Sequence, residues 1–483
     1  MFARLSSSFG SQQRKALAGA GAVAFTGIIL SSSNNASSRT YNQAKKNSHI
    51  VVVGGGTAGI GVAAMLRNEG VKNVTIIEPR DVHYYQPLWT LVGGGVKPVQ
   101  KSAHPMKQIV GNTGANWVQE RVASFDPKSN QVHLQDGSKV EYDYLVVAAG
   151  MQIDWDKVPG LKEGLEKEDS GVVSIYDYNY ANKTWKTFEK IRNLAKPSLH
   201  FVMSPTPIKC AGAPQKIMWL LEDTMRRSGT RQNANFTFWT PGGGMFGVPY
   251  YSEKLEKLRQ ERNVDGKFKH ELVSIDSDNK IATFRHQDGD KTVMVQQKFD
   301  LLHVAPHMSA PDFLKGSPLS DDKGWVDVDK HTLQSKKYKN VFGLGDCTNT
   351  PNSKTAAAIT SQAPVVVHNI QHQMQGKDLT DGYSGYASCP LVIARGRTIL
   401  AEFGYGGKIM ETFGRDTGNF PLNMIGTEGA LQQRFFYFLK EQVFPYVYWN
   451  LWTRGMWYGT NGPIKPRVTD KTEKKTKATH QLS

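Results

Sequence analysis

Cys210 has the residue type and the surroundings that nucleophilic sulfur chemistry requires. It lies in the loop Pro205-Thr-Pro-Ile-Lys-Cys210-Ala-Gly-Ala-Pro214, between a buried strand predicted at 199–204 and a helix predicted from Gln215 to about Arg227. The cation of Lys209 and the positive end of the following helix both favour a thiolate, so they lower the pKa of the thiol. The alternative is a structural cysteine in an ordinary turn, because most free cysteines are small apolar fillers.

The same loop lacks the glycines that a second dinucleotide-binding unit would carry. A Gly-x-Gly turn would let a pyrophosphate approach the backbone here, but three prolines stiffen the loop instead. A later glycine run, Pro241-Gly-Gly-Gly244, follows the predicted strand Asn235–Trp239, which makes it a poor pyrophosphate site. A nicotinamide nucleotide is therefore not the expected reductant.

The chain contains two further cysteines, Cys347 and Cys389. Cys389 precedes a strand-like segment at 397–403, and it would pair with Cys210 only if the two Cα atoms came within roughly 7 Å. Sequence does not decide this distance. Cys347 directly follows Asp346 and is interpreted as structural.

A complete βαβ fingerprint precedes these thiols. The β-branched strand His49–Val53 leads into Gly54-Gly-Gly56-Thr57-Ala58-Gly59, then into a helix to about Asn68, and the next strand ends at Glu78. The glycines permit a tight turn and a close phosphate, and the acid accepts a hydrogen bond from a ribose hydroxyl. This arrangement predicts a dinucleotide site.

Later motifs indicate that the dinucleotide is FAD. Tyr142–Gly150 is a strand ending in small residues, and Tyr338–Asp346 resembles a second flavin motif, in which Gly345 and Asp346 approach the ribityl chain. The following segment should open a helix whose positive end faces the isoalloxazine. From this segment we expect cofactor contacts at Lys354, Ala356, Ala357, Ala358 and Ile359.

Length and composition are those of an α/β enzyme with several packed units. The 483 residues are 39% hydrophobic, and three cysteines are too few for a disulfide-stapled secreted protein. We expect two Rossmann-like domains, the FAD domain being split by a degenerate second one, plus a C-terminal module with membrane-associating amphipathic helices. The predicted boundaries are 49–165 and 300–375 for the FAD domain, 166–299 for the second domain with Cys210, and 376–463 for the module with Cys389.

The net charge of +16 is concentrated at the two ends. Residues 1–48 hold no acidic residue and are rich in Ser, Ala and Arg, which is typical of a mitochondrial transit peptide. The apolar run 16–30 leaves a secretory segment or a marginal membrane anchor as alternatives. The basic tail 464–483 is a solvated end or a contact for an anionic membrane surface; no nucleic-acid module accompanies it.

The segment 431–458 contains eleven aromatic residues among 28. Leu431, Phe435 and Phe438 fall on one helical face, Lys440 belongs to the opposite polar face, and Pro445 is predicted to break the helix. Tyr448, Trp449, Trp452 and Met456 then form a second stripe. An interfacial membrane anchor is favoured over a hairpin packed on the protein's own core.

Taken together, the motifs resemble the sulfide:quinone oxidoreductases of the mitochondrial type. The likeness extends from about residue 49 to 460. It is most specific in four segments: His83–Gly93, Pro207–Met218, Leu302–Pro306 and Tyr386–Val392.

The resemblance implies that Cys210 and Cys389 are the catalytic pair, oxidised with or without an extra bridging sulfur. Hydrosulfide attacks Cys389, which becomes a persulfide, and the Cys210 anion passes electrons to the flavin at its C4a position. Glutathione or sulfite removes the sulfane sulfur, and ubiquinone is the final electron acceptor. The resemblance further implies FAD contacts at Gln86 and Val122, no metal, and a location on the matrix side of the inner mitochondrial membrane.

Three alternatives remain at this point. A single-subunit NADH:quinone oxidoreductase would need the missing glycine fingerprint. A non-catalytic flavoprotein would use Cys210 and Cys389 as a redox sensor. A membrane scaffold would explain the aromatic end but not the FAD motifs.

Overall fold

A computed structural model describes residues 48–380, 382–413 and 430–465, without the side chains of 430–432. The predicted transit segment, except for its last residue, and the basic tail from residue 466 lie outside these ranges.

The first part of the described chain is a parallel sheet with flanking helices and small antiparallel sheets. Its elements are β1 (His49–Val53), α1 (Thr57–Asn68), β2 (Asn73–Ile77), β3 (Val82–Tyr84), α2 (Trp89–Gly93), β4 (Ala103–Pro105), α3 (Met106–Thr113), β5 (Asn116–Val118), β6 (Val122–Asp126), β7 (Gln131–Leu134), β8 (Lys139–Glu141), β9 (Tyr144–Val147) and β10 (Gln152–Asp154).

The second part alternates strands and helices again before a three-stranded antiparallel sheet. Its elements are α4 (Leu161–Glu166), β11 (Val172–Val173), α5 (Tyr178–Ile191), β12 (Ser198–Val202), α6 (Ala213–Arg227), β13 (Asn235–Thr240), α7 (Pro249–Glu261), β14 (Asp265–Phe268), β15 (His270–Asp276), β16 (Ile281–Asp288), β17 (Lys291–Lys298) and β18 (Leu301–Val304).

The last part returns to the first sheet and then forms a hairpin and a helical end. Its elements are β19 (His307–Ser309), β20 (Val341–Gly343), α8 (Ala356–Met374), β21 (Ala387–Ala394), β22 (Arg397–Phe403), α9 (Ala430–Phe438), a π-helical turn (Leu439–Val443) and α10 (Phe444–Asn450). Short 3₁₀ turns occur at Gln86–Leu88, Val99–Ser102, Trp155–Lys157, Arg231–Asn233, Asp312–Leu314, Tyr405–Gly407, Trp452–Arg454 and Gly459–Asn461.

Two parallel five-stranded sheets position the predicted site. The first has the order β20-β9-β1-β2-β5, so that the strand from the second flavin motif joins the sheet of the first motif. The apolar, β-branched residues of β1 and β2 suit strands covered on both faces, by helices on one and by the small sheet of β6, β7 and β8 on the other. This arrangement confirms an α/β architecture in which one domain is built from two separated stretches of chain.

The second sheet has the order β11-β18-β12-β13-β14 and corrects one predicted boundary. The prediction assigned residues from 300 onward to the flavin domain, but β18 pairs in parallel with β12 and with β11. Leu301–Val304 is buried between these two neighbours. The strand therefore belongs to the second Rossmann-like unit, and the return to the first sheet begins after it.

The predicted helix break at Pro445 is wrong. Helix α9, the π-helical turn and α10 follow one another without a gap, and Pro445 lies in the first turn of α10. A proline inside a helix lacks an N–H and clashes with the carbonyl of the preceding turn. The wider π-helical turn before Pro445 accommodates the ring, so the helix continues.

Part of the aromatic segment packs on the protein's own core instead of forming a continuous apolar stripe. Tyr448 and Trp452 are buried, whereas Tyr446 and Met456 are exposed. A Cβ added to Gly61 in α1 would lie 2.1 Å from the Trp452 ring, so this glycine permits the close approach. Among the described residues, no helix has both the length and the apolar character that crossing a bilayer requires.

Candidate functional site

The glycine turn between β1 and α1 has the shape of a diphosphate cradle. Gly54 has a φ of +103°, and a Cβ on Gly59 would lie 1.8 Å from the Gly54 carbonyl oxygen, so neither position accepts a side chain. A Cβ on Gly56 would meet no protein atom within 4 Å, which leaves the face beside the α1 N-terminus open. Thr57 and Ala58 begin the helix, and its amide groups face this space. The turn therefore fits the diphosphate of FAD.

Glu78 lies at the carboxyl end of β2, next to this turn. Its carboxylate accepts hydrogen bonds from the Gly55 N–H at 2.8 Å and from the Arg80 N–H at 3.0 Å. The acid is thus fastened beside the glycine turn, at the position that a ribose-binding residue requires.

The second flavin motif lies against the first. A Cβ on Gly345, where φ is +77°, would lie 3.3 Å from the Ala58 side chain, and the Gly345 N–H donates to Gln362 Oε1 at 2.8 Å. Burial raises the pKa of Asp346, and the cations of Lys354 and Lys209 oppose this rise. The two motifs, about 290 residues apart in sequence, therefore face one site.

Helix α8 begins at Ala356, where Thr355 caps it by accepting from the Ala358 N–H at 3.1 Å. Ala357 and Ile359 belong to the same first turn. The Lys354 amine donates to the carbonyls of Thr348 and Thr350, so it stabilises the loop that leads into the helix. Gly150, with a φ of +71°, also has no protein atom within 4 Å of an added Cβ.

The two residues that the resemblance placed at FAD differ in their surroundings. Gln86 is half-buried at the start of the 3₁₀ turn Gln86–Leu88. Val122 begins β6 and packs in a core cluster with Val53 and Ile77, under the first sheet. Their contact with FAD stays a prediction.

The fold brings Cys210 and Cys389 together. Their Sγ atoms are 3.7 Å apart, Cys389 is buried in β21, and Cys210 is half-buried in the loop before α6. Cys210 has a φ of +53°, an uncommon conformation for a residue with a side chain. Its N–H donates to the Lys354 carbonyl at 2.7 Å. This bond joins the thiol loop to the segment that opens helix α8, at the predicted flavin end of the site.

Lys216, which the sequence analysis did not single out, is the cation closest to the thiols. Its amine donates to Cys210 Sγ at 3.1 Å from the first turns of α6. Lys209 was expected to have this role, but its amine lies 6.0 Å from the centroid of the Trp89 ring, and burial lowers its pKa to about 8. The sequence did hold a signal for this role, which is a lysine six residues after Cys210. In a helix that starts at residue 213, the side chain of Lys216 points back toward the helix N-terminus and so toward the thiol.

The two thiols have opposite pKa shifts. The hydrogen bond from Cys389, followed by the charge of Lys216, holds the pKa of Cys210 well below its usual range in spite of burial. The same hydrogen bond and burial raise the pKa of Cys389. Burial lowers the pKa of Lys216, but the charge on Cys210 outweighs this effect and raises it overall. In the dithiol state the pair therefore holds one thiolate, on Cys210.

Lys440 is a second residue whose position the sequence analysis did not predict. It was assigned to the polar face of the aromatic helix, yet it is buried in the π-helical turn and donates to the Pro87 carbonyl at 2.6 Å. Burial and the charge of Lys216 lower its pKa to about 7, and its own charge helps to lower that of Cys210. The amphipathic pattern alone could not find it, because the face it occupies is covered by other parts of the chain.

Cys347 does not join the pair. Its Sγ is buried and donates weakly to the carbonyls of Val147 and Leu344, and burial raises its pKa to about 11. A thiol of this kind is inert at neutral pH. Within the described ranges, no group of three or more His, Cys, Asp or Glu residues could hold a metal ion.

Comparisons with known proteins show which family this chain is similar to. Residues 48–195 match the pyridine nucleotide-disulphide oxidoreductases. The chain is 42% identical over 450 residues to "Sulfide:quinone oxidoreductase, mitochondrial" of Dictyostelium discoideum, which covers 91% of this chain and 94% of that protein. It is 41% identical over 419 residues to the protein of the same name from Mus musculus, with 86% and 88% covered.

A solved structure supports the fold. The X-ray structure of the sulfide:quinone oxidoreductase from the hyperthermophilic bacterium Aquifex aeolicus matches with a TM-score of 0.66 at 22% identity, over 89% of this chain and 94% of that one.

Proposed function

The chain belongs to the mitochondrial sulfide:quinone oxidoreductases, FAD-dependent enzymes that oxidise sulfide with a quinone as acceptor, and we propose that Cys210 and Cys389 carry its sulfur chemistry. The observation that carries the proposal is the 3.7 Å approach of the two sulfurs with the Lys216 amine 3.1 Å from one of them. When bound, FAD takes two electrons from sulfur and delivers them to the quinone.

The first step begins from the oxidised pair. Hydrosulfide attacks Cys389 Sγ, a new S–S bond forms, and the bond between the two cysteine sulfurs breaks. Cys389 then carries the added sulfur as a persulfide, and the electron pair of the broken bond stays on Cys210 as a thiolate. A thiol of low pKa leaves faster in such an exchange. Because Lys216 stabilises the thiolate on Cys210, Cys210 is the better leaving group and Cys389 the sulfur that is attacked.

The second step removes the sulfane sulfur. A small nucleophile, glutathione or sulfite, takes the outer sulfur of the Cys389 persulfide, and Cys389 is released as a thiolate that takes up a proton. The pair, now a thiol on Cys389 and a thiolate on Cys210, returns to the disulfide by giving up two electrons and the Cys389 proton. These two electrons equal the two that one sulfide loses in each turnover. Lys216 keeps a positive charge beside the Cys210 sulfur throughout, because the charge on Cys210 raises the pKa of this amine.

Electron delivery to the quinone is proposed to take place at a membrane surface. Tyr446, Met456 and Ile464 are exposed large apolar residues near the C-terminal end of the described chain, and Arg454 and Lys465 lie among them in sequence. Apolar side chains interspersed with cations suit an interface with anionic lipids. We place this surface on the matrix side of the inner mitochondrial membrane.

The geometry of the thiol loop opposes the NADH alternative. A Cβ on Gly212, the glycine of this loop, would lie 2.6 Å from Cys389 Sγ and 2.6 Å from Leu391 Cδ2. The loop thus faces the second thiol. In a nicotinamide-binding domain, the backbone of the corresponding loop would instead face a pyrophosphate.

The test is anaerobic mixing of the purified, oxidised enzyme with excess sulfide, a second molecule of which takes the outer sulfur of the Cys389 persulfide, while the flavin spectrum is followed. Wild-type flavin should bleach with sulfide and recover with a ubiquinone analogue. Cys210→Ser and Cys389→Ser should hold FAD but lose at least about 1,000-fold in the rate of bleaching, because each removes the covalent route.

Cys347→Ser is the matched control, since it alters a thiol outside the pair, and it should bleach at the wild-type rate. Bleaching of the double variant by sulfide at the wild-type rate would refute the proposal. Bleaching by NADH but not by sulfide would support the nicotinamide alternative, and no response to either would favour the sensor.

A further inference from the structure

A buried chain of hydrogen bonds joins the C-terminal helix to the glycine turn of the FAD site. The Tyr448 hydroxyl in α10 is 2.9 Å from Thr57 Oγ1 and 2.7 Å from His83 Nε2. His83 Nδ1 is in turn 2.8 Å from the Gly55 carbonyl oxygen. His83 and Tyr448 are both buried. This series of hydrogen bonds therefore links Thr57, at the start of α1, to Gly55 in the glycine turn.

The direction of each hydrogen bond follows from the chemistry of the groups. A carbonyl oxygen only accepts, so His83 Nδ1 carries a proton and donates to Gly55. Burial lowers the pKa of His83 to about 4, so the ring is neutral at pH 7 and its Nε2 is an acceptor. The Tyr448 hydroxyl must then donate to His83, and its oxygen accepts from the Thr57 hydroxyl. In this series of hydrogen bonds, every donor therefore has a compatible acceptor.

Neighbouring contacts hold the same helix against the turn. Trp452 Nε1 donates to the Thr57 carbonyl at 2.9 Å, and Asn68 Nδ2 donates to the Arg454 carbonyl at 2.8 Å at the other end of α1. A Cβ on Gly455 would lie 2.7 Å from backbone atoms of Ala64 and Met65. The segment after Pro445 thus covers much of the length of α1, the helix whose N-terminus faces the FAD diphosphate.

We propose that Tyr448 and His83 are positioning residues for FAD, which act through Thr57 and Gly55 to hold the glycine turn in its diphosphate-binding shape. Breaking this series of hydrogen bonds leaves a buried histidine nitrogen and a half-buried threonine hydroxyl unpaired, and the turn can relax to satisfy them. The proposal also assigns a role to His83, the first residue of a sequence motif that sulfur chemistry does not explain. It concerns cofactor retention and does not depend on the roles proposed for the two thiols.

The experiment measures FAD dissociation from the full-length holoenzyme in detergent, by the fluorescence of FAD released after dilution. Tyr448→Phe keeps the ring and removes the hydroxyl, and it should release FAD about tenfold faster than wild type. Thr57→Val should have a similar effect, the Thr57→Val/Tyr448→Phe double variant should add little to either, and Thr57→Ser should restore retention.

Two control variants separate positioning from general destabilisation. Tyr446→Phe removes the hydroxyl of an exposed tyrosine in the same helix. Tyr437→Phe removes the hydroxyl of a buried tyrosine in the same aromatic segment, which takes no part in these hydrogen bonds. Both should release FAD at the wild-type rate. The proposal is overturned if Tyr448→Phe retains FAD like wild type, if Tyr437→Phe loses it equally fast, or if Thr57→Val and Tyr448→Phe act additively.

The result is distinguishable from a failure of the thiol mechanism. In Tyr448→Phe, sulfide should still bleach the FAD that remains bound, because both thiols are intact. In the Cys210 and Cys389 variants, the opposite is expected: FAD retained, with no reduction by sulfide.

Discussion

The sulfurs of Cys210 and Cys389 lie 3.7 Å apart, yet their electrostatic surroundings differ. Cys210 accepts a hydrogen bond from the buried Lys216 amine, whereas Cys389 lies in a strand and serves as donor to Cys210. Hydrogen bonds to charged groups contribute about 1.5–3 kcal/mol each, more than the bonds between neutral groups. The hydrogen bond from Cys389 and the cation of Lys216 together favour the negative charge on Cys210, which makes Cys210 the sulfur that leaves when hydrosulfide attacks.

Substitution of Lys216 tests this asymmetry. Lys216→Met removes the cation, so the pKa of Cys210 should rise and single-turnover flavin reduction by sulfide should slow roughly 10- to 100-fold at pH 7. Lys216→Arg keeps the charge and should restore most of the rate. Raising the pH should partly rescue Lys216→Met, because a larger fraction of Cys210 is then the thiolate that gives up electrons. An unchanged rate and an unchanged pH profile in Lys216→Met would contradict the assignment of Cys210 as leaving group.

Elements from distant parts of the chain meet at the thiols, and each is fastened to its neighbour by polar contacts. The Arg395 N–H, in the turn between β21 and β22, donates to Asp223 of α6 at 2.9 Å, and Arg262 donates to the Ile393 carbonyl at 2.6 Å. The hairpin with Cys389 is thereby held on the helix with Lys216. At the helical end of the chain, the π-helical turn before Pro445 brings Lys440 inward and directs Tyr448 toward α1.

The same helical end leaves an apolar face outside, and the membrane proposal is tested there. Tyr446 and Met456 are 56% and 42% exposed. Changing both to Ser should reduce co-sedimentation with cardiolipin-containing vesicles at least about fivefold, because apolar area that inserts at the interface is lost. The matched control changes Val293 and Met294 of β17, which are 43% and 56% exposed on a different sheet. Equal binding of both double variants would count against this surface.

Within the part of the chain that the structure describes, burial holds His83, His200 and His303 neutral at pH 7. Burial is the main cause that lowers the pKa of His83 and His200 to about 4 and of His303 to about 3. An unfolded histidine has a pKa of about 6.5, so between pH 6.5 and 4 the unfolded chain binds more protons than the folded one. These groups therefore contribute stability that is present above pH 6.5 and is lost as the pH falls through 4.

The expected loss of unfolding free energy is about 3 kcal/mol each for His83 and His200 once the pH is below 4, and about 5 kcal/mol for His303 once it is below 3. Urea unfolding of the oxidised protein at pH 7, 6 and 5 measures it, and the oxidised form excludes titration of Cys210. The urea concentration at the midpoint of unfolding should fall at each step to lower pH. In His200→Gln, unfolding should take up about one proton fewer, so the midpoint should depend less on pH. A midpoint that stays constant from pH 7 to 5 would argue that these rings are accessible to protons in the folded state.

Much of the fold and both candidate thiols could be predicted from sequence, because local chemistry determines them. The strand–glycine–helix pattern at 49–68 is readable, since only glycine fits Gly54 and Gly59. The proline-stiffened loop around Cys210 was likewise recognisable as a departure from a dinucleotide turn. Boundaries were less secure: β18 lies in the second sheet through its pairing with β11 and β12, which no local pattern encodes.

Tertiary structure decided which groups share the site. Sequence separation gives no distance, so the approach of Cys210 to Cys389 depends on how β21 docks on α6. Tertiary packing likewise buries Lys440. Its position in the helical pattern predicts a solvated face, but other parts of the chain cover it. The residues' chemistry was present in the sequence, whereas their partners, charges and exposure were set only when the chain packed, because Coulomb and desolvation effects depend on distance through space.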